Sequence, residues 1–271
     1  MIYKIIKYIF LTALSFLFVF PFLWMILSSF KANKEVLAIP VKVFPEEWTV
    51  NAYLNLANYS NYDFPRYFFN SIFITVAAVI FAVILCTTAG YGFAKYKFPG
   101  NSFLFFFVLS TIMIPFQAIV VPLFILMKNL GLQNSYLGLI IPEALTAFGV
   151  FLMRQFFYSI PDEIIESARI DGASEFRIFW SISLPLAKTA IFALVIFHSQ
   201  WVWNLLLWPL IIISSPEMRT IPQAISLFSG VYFTPYPEQL AISVLACLPL
   251  LILFSVLSKN FVRGITLTGL K

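Results

Sequence analysis

Between positions 162 and 177 stand Asp162, Glu163, Glu166, Arg169, Asp171, Glu175 and Arg177, in a chain that is 61% hydrophobic and only 11% charged. Charges at that density cannot lie in hydrocarbon, so this segment sits in water. Its chemistry is that of recognition. Carboxylates and guanidinium groups offer charged contacts, and Ser167, Ala168, Gly172 and Ala173 predict an exposed small-residue corner on which another chain can seat. A second set of polar residues is scattered through apolar stretches: Asn70, Gln117, Glu143, His198, Gln200 and Asn204. Ionisable residues at membrane depth are functional candidates by default. Glu143, next to Pro142, is the most informative, because an unpaired carboxylate in lipid is costly and a water-filled solute cavity accounts for it, as does a place near the outer interface or a partner chain. Glu143, His198, Gln200, Trp203 and Asn204 are the candidates for a solute path. Trp201, Trp203 and Trp208 suit the apolar faces of pyranoses, and they equally suit anchoring and packing, the commoner use of tryptophan in membranes.

Several activities are excluded by what these residues are not. His198 is the single histidine, and Cys86 and Cys247 both fall in apolar runs, which argues for small buried hydrophobes and against a metal cluster or a disulfide. No glycine-rich phosphate loop of the Walker type precedes a Lys and a Ser or Thr, so ATP hydrolysis needs another chain. A membrane enzyme requires convergent catalytic groups, and the only acid cluster is the 162–175 segment itself. An ion-coupled secondary transporter calls for a buried acid relay and often for inverted repeats with broken helices, whereas Glu143 is the lone intramembrane acid.

The elements that position these residues follow from hydropathy. Mean hydropathy is +0.92, with 32 Phe and repeated apolar runs. Runs of about 20 residues cross ~30 Å of hydrocarbon, and they lack the alternation of a barrel strand. The fold class is all-α: a polytopic membrane protein with six transmembrane helices, at roughly 5–29, 67–93, 103–127, 136–157, 186–213 and 239–258. The first run is too long for a signal peptide and has no small-x-small site after it, so it reads as a retained helix. Placing both termini in the cytoplasm collects Lys4, Lys7, Lys95, Lys97, Arg154, Arg169, Arg177, Lys188, Lys259, Arg263 and Lys271 inside. It leaves Lys31, Lys34, Lys42, Arg66, Lys128 and Arg219 outside, as the positive-inside rule prefers. The same rule accounts for a pI near 9.1 with no basic patch, so no nucleic-acid partner is expected.

Residues 30–66 form an outer segment rich in aromatics, among them Trp48, Tyr53, Tyr59 and Tyr62. The outer loop from Ser214 to Pro237, with Pro216, Pro222, Pro235, Pro237 and Gly230, reads as a shaped excursion or as a simple connector. In the cytoplasmic loop at 158–185, Pro161 is placed as the first residue of a short helix capped by Ser159, and Gly172 as the left-handed residue that ends it. A second short helix carries Phe176, Phe179 and Trp180 near one stripe and stops at Pro185. A helix pair that merely covers lipid headgroups has the same signals.

The spacing of Glu166, Ser167, Ala168 and Gly172, followed by Ile182, Leu184 and Pro185, resembles the EAA loop of the permease subunits of ABC importers, with Ser167 where that family usually has Ala. Asp171 beside Gly172, the lead-in Ile160-Pro161-Asp162-Glu163, the run from Gly90 to Phe98 and Trp203-Asn204 are similar to the carbohydrate-importing branch that includes maltose permeases. The resemblance covers nearly the whole chain. It implies a type I ABC importer fold: a first helix and outer loop at 1–66, a transmembrane core at 67–259 and a cytoplasmic tail at 260–271. It also implies a second homologous permease, a cytoplasmic ATPase dimer that binds ATP and Mg, and an extracytoplasmic solute-binding protein. This chain would hold no cofactor and would work in the cell membrane among lipid. Glu166, Ser167, Ala168, Arg169, Asp171, Gly172, Ile182, Leu184 and Pro185 would couple it to the ATPase, and the tail from Phe261 to Lys271 would reach the ATPase interface or remain solvated. The solute is a sugar, an oligosaccharide or another solute such as a phosphorylated polyol.

Overall fold

The structure, a computed structural model, describes residues 2–57, 63–228 and 234–268, with the backbone alone at residue 2 and at 259–268. Expectations placed on Tyr59, Tyr62, Gly230, Lys271 and the side chains of Lys259, Arg263 and the tail lie outside the described residues.

Among the described residues there is no strand. Helices α1 (Ile2–Ser28) and α2 (Phe64–Lys95) are long and apolar enough to cross a bilayer. Three bent pairs follow. They are α3 (Asn101–Met113) with α4 (Phe116–Asn129) at 104°, then α5 (Tyr136–Glu143) with α6 (Ala147–Tyr158) at 41°. After α7 (Asp162–Ile170), α8 (Glu175–Leu186) meets α9 (Lys188–Trp203) at 73°. The chain ends through α10 (Leu207–Ile212), α11 (Ile221–Leu227) and α12 (Tyr236–Thr268), whose stretch to Ser258 is also long and apolar enough to cross.

Three of the six expected spans are therefore not single helices, and proline chemistry gives the reason. The ring of Pro115 disfavours helical backbone at the preceding residue, and Ile114 is extended at ψ 115°, which ends α3. The expected span at 186–213 breaks at Asn204–Leu206, where Pro209 has no N–H to offer the carbonyl of Leu205. Pro185 does not stop the second cytoplasmic helix. The turn over Phe179–Ser183 widens into a π-helix, which absorbs the missing donor, and the helix continues to Leu186.

Lipid tails are as apolar as leucine, so helices associate in a membrane through close packing. Helix α2 answers that demand with Ala78, Ala82, Cys86 and Gly90, four small residues one helical turn apart. The first three are fully buried, and α2 makes its broadest contact with α6. Met153 and Phe157 of α6 and Leu194 of α9 fill the other side, all without exposure. Helix α1 is the opposite case: none of its apolar window is buried within the chain, and its broadest contact is with α12.

The N-terminal part of α2 is fixed by Asn70, which is fully buried. Its amide donates to the carbonyls of Glu217 (2.8 Å) and Arg219 (2.9 Å), and its oxygen accepts from the Tyr136 hydroxyl (2.7 Å). The neighbouring Ser71 hydroxyl accepts from the Ile221 amide at 2.8 Å. Asn70→Ala would strand two carbonyls and a phenol, at about 1–3 kcal/mol for each group that water fails to reach. Limited proteolysis of the detergent-solubilised chain should then cut at 214–220 in the variant and spare the parent. Equal resistance of the two would contradict the pinning role.

Candidate functional site

Helix α7 takes Pro161 as its N-cap and starts at Asp162, one residue later than the sequence reading places it. Ser159 does not cap it: that residue closes α6 and donates to the Phe156 carbonyl at 2.7 Å. The other end matches the expectation. Gly172 has φ +81°, the Ala173 amide donates to the Ala168 carbonyl (2.9 Å) and the Gly172 amide to that of Arg169 (3.0 Å), which together close the left-handed helix end. No atom lies within 4 Å of a Cβ built at Gly172, so backbone conformation and not crowding by this chain calls for glycine there. The Ser174 hydroxyl, accepting from the Arg177 amide at 3.4 Å, starts α8.

The expected exposed corner divides. Ala168 and Ile165 are buried with Tyr91, Phe157, Ile178 and Phe179 in the chain's own core, and Ala173, Ile182 and Leu184 pack against that core. Glu166, Ser167, Arg169, Asp171, Gly172 and Pro185 face outward. The aromatic stripe divides in the same way, since Phe179 turns inward while Phe176 is 74% and Trp180 45% exposed. Ile170, 86% exposed, is an apolar group on this charged surface that the sequence reading passes over as part of the helix. The signal was present: Ile170 lies off the buried stripe that Ile165 and Ala168 define.

Two polar links fasten the loop to the C-terminal end of α2. Lys95 donates to the Ile160 carbonyl and to Asp162 Oδ1, each at 2.6 Å. Tyr96 donates to Glu175 Oε2 at 2.7 Å, and Arg169 grips the same carboxylate through Nε (2.6 Å) and Nη2 (3.2 Å). The hydrogen bond from Lys95, and then its charge, holds the Asp162 carboxyl below its ordinary value of 3.8. A depressed carboxyl stabilises the fold above that value, and its contribution disappears as pH falls through the lowered one. Burial first, then the bond to Glu175, pushes the Tyr96 phenol up to about 12. The Tyr96 contact is therefore intact below pH 10 and is lost as pH rises past about 12. Alkaline titration followed by phenolate absorbance should show a late-ionising tyrosine that Tyr96→Phe removes. If the variant instead loses a phenolate that appears with the exposed tyrosines, the link is not formed.

A second site lies within the membrane span. The α3–α4 and α5–α6 breaks meet at one cavity of about 640 Å³, closed on its third side by Phe197, His198 and Trp201 of α9. Irregular backbone at this depth persists only where protein buries it or a cavity receives it. Glu143, only 6% exposed, accepts from Trp201 Nε1 at 2.9 Å, and its backbone carbonyl accepts from His198 Nε2, also at 2.9 Å. The sequence candidates thus separate. Glu143 and His198 come together with Trp201. Trp203 turns away, donates to the Ala246 carbonyl (3.0 Å) and borders a different, apolar cavity of about 510 Å³ between α2, α9 and α12. Gln200 and Asn204 are exposed, with the Asn204 amide on the Gln200 carbonyl at 2.6 Å. Trp208 is fully buried and donates to the Gly138 carbonyl (3.0 Å), a packing role.

Bent helix pairs around such a cavity, with a charged two-helix loop at one end, make the fold of a type I ABC permease. The same fold is found in a crystal structure of a bacterial ABC transporter involved in the import of the acidic polysaccharide alginate, at a TM-score of 0.83 and 24% identity over 96% of each chain. Residues 86–267 match the family described as binding-protein-dependent transport system inner membrane component, and this chain belongs to that family. It is 35% identical to the arabinooligosaccharides transport system permease protein AraQ of Bacillus subtilis (strain 168), over 100% of this chain and 96% of that protein. It is 30% identical to the lactose transport system permease protein LacG of Rhizobium radiobacter, over 96% of this chain and 94% of that one.

Proposed function

We propose that this chain is the transmembrane permease subunit of an ATP-driven, binding-protein-dependent importer of sugars or oligosaccharides in the cell membrane. Family membership carries the reading, because the match over residues 86–267 runs from within α2 into α12 and hence takes in both the water-facing loop and the cavity. The solute class draws its support from relatives whose names specify arabinooligosaccharides and lactose.

In this reading each bent pair is one crossing, which makes six, with both termini in the cytoplasm. A second permease completes the path, an extracytoplasmic protein delivers the solute, and a separate ATPase pair binds ATP and Mg; this chain is non-catalytic. The ATPase receives Glu166 to Gly172, with Ile170 and Phe176 as apolar anchors, while Ala168, Ile182 and Leu184 hold the loop on its own core. Its closure moves the loop and tilts the crossings, giving alternating access. Moving such an equilibrium from 1:99 to 99:1 takes about 5.5 kcal/mol of preference for one state.

The test is ATP hydrolysis by the chain reconstituted with partner permease and ATPase, against a panel of sugar-loaded binding proteins. Stimulation by one loaded binding protein supports the reading and names the solute. Absence of any association with an ATPase overturns it.

A further inference from the structure

Glu143 is the one acid lining the cavity at the two helix breaks, and that lining contains neither lysine nor arginine. Among the described residues Glu143 enters no ion pair; Trp201 Nε1 reaches one of its carboxylate oxygens. The other polar groups at the cavity are largely committed. The Thr111 hydroxyl donates to the Val108 carbonyl (2.7 Å), Thr146 Oγ1 accepts from the Gly149 amide (2.9 Å), and His198 Nε2 donates to the carbonyl of Glu143 itself. The remaining wall is mostly apolar, with aromatic faces from Phe116, Phe148 and Phe197.

We infer that Glu143 sets the charge selectivity of this cavity, which admits neutral, hydroxyl-bearing solutes and rejects anionic ones such as uronates and phosphorylated polyols. The inference rests on reading the cavity as part of the solute path. An anion entering here gives up hydration and finds no cation to replace it, and Glu143 repels it whenever that carboxyl is ionised. A neutral polyol loses less: a hydroxyl can donate to the carboxylate, and the apolar face of a ring can lie on the aromatic wall. Selectivity by repulsion separates the two solute classes that the motifs leave together.

Ala147, the first residue of α6, lines the cavity and places a thiol beside Glu143 when replaced. In the assembled complex in membrane vesicles, Ala147→Cys would be reacted with a cationic and an anionic methanethiosulfonate. Each rate is normalised to that reagent's rate with a free thiol in solution, and the unsubstituted chain, with Cys86 and Cys247, is the blank. The cationic reagent should react faster by about tenfold or more. Glu143→Gln should bring the ratio close to one, and Glu143→Asp should keep it. The inference is overturned by a ratio near one in Ala147→Cys alone, by an unchanged ratio in Glu143→Gln, or by no reaction with either reagent with and without ATP. Labelling needs no ATP turnover. A complex that keeps the charge ratio but shows no coupled hydrolysis would count against the coupling reading alone, and one that couples with a ratio near one would count against this inference alone.

Discussion

Gly172→Val should leave the chain in the membrane at its normal level and lower solute-stimulated ATP hydrolysis by the assembled complex by about tenfold or more. Left-handed backbone costs an L-residue about 1–2 kcal/mol, and φ there is +81°. The strained residue would open the two bonds that close the end of α7, shifting Ile170 and Phe176 relative to each other. A Cβ there meets nothing of this chain within 4 Å beyond its immediate neighbours, so the crossings should fold as before. Gly172→Asn separates two causes, because asparagine tolerates the left-handed region. Recovery of hydrolysis in that variant assigns the residue to the turn, and an equal loss assigns it to close approach by the ATPase. Full coupled hydrolysis in Gly172→Val would remove the loop from the coupling path.

A second large effect is expected at Gly90, about one and a half helical turns before the C-terminal end of α2. A Cβ at Gly90 would lie 2.6 Å from the Met153 Cβ and 2.8 Å from the Arg154 backbone nitrogen, whereas a Cβ at Gly92 would meet nothing within 4 Å. Backbone cannot swing aside as the end of a flexible side chain does, so Gly90→Ala must push α6 away from α2. Overpacking of this kind costs about 1–3 kcal/mol, and leucine at the same site more. The thermal midpoint of the detergent-solubilised protein should fall by several degrees in Gly90→Ala and more in Gly90→Leu, while Gly92→Ala stays with the parent. Matching midpoints for Gly90→Ala and Gly92→Ala would show that the two helices do not depend on this contact.

How much of this architecture can be read in the sequence depends on whether the cause is local. Apolar runs announce membrane segments because burial in lipid is a property of the run itself, and each expected segment contains helix. Gly172 was legible for the same reason: a left-handed residue at a helix end is a local demand. The breaks at Ile114 and Asn204 were half legible. Pro115 and Pro209 mark them, but a proline within an apolar run is also found inside intact helices, as Pro122 is in α4. Orientation was the least legible. Ala168 was expected to face a partner and is covered by its own chain, because which side of a short amphipathic helix meets the core is decided in part by α2, far away in sequence, and not by its flanking helices alone. Glu143 could be singled out as an acid in an apolar stretch. Its neighbours Trp201 and His198, two crossings' length further along the chain, could not be paired with it from spacing.

Of the three long helices, α1 and α12 carry an interior proline at Pro21 and Pro249, and α2 carries none. At 32 residues and ~1.5 Å per residue it is an unbroken strut of ~48 Å, tied near its N-terminal end through Asn70 to the loop after α10 and at its C-terminal end through Lys95 and Tyr96 to the charged loop. Such a strut has no joint at which movement could be lost. Pivoting about one end by ~10° would displace the other by about 8 Å, the width of a sugar ring and more. The two faces of the membrane are in this sense within one rigid body's reach of each other, and the bent crossings around it are the parts left free to yield.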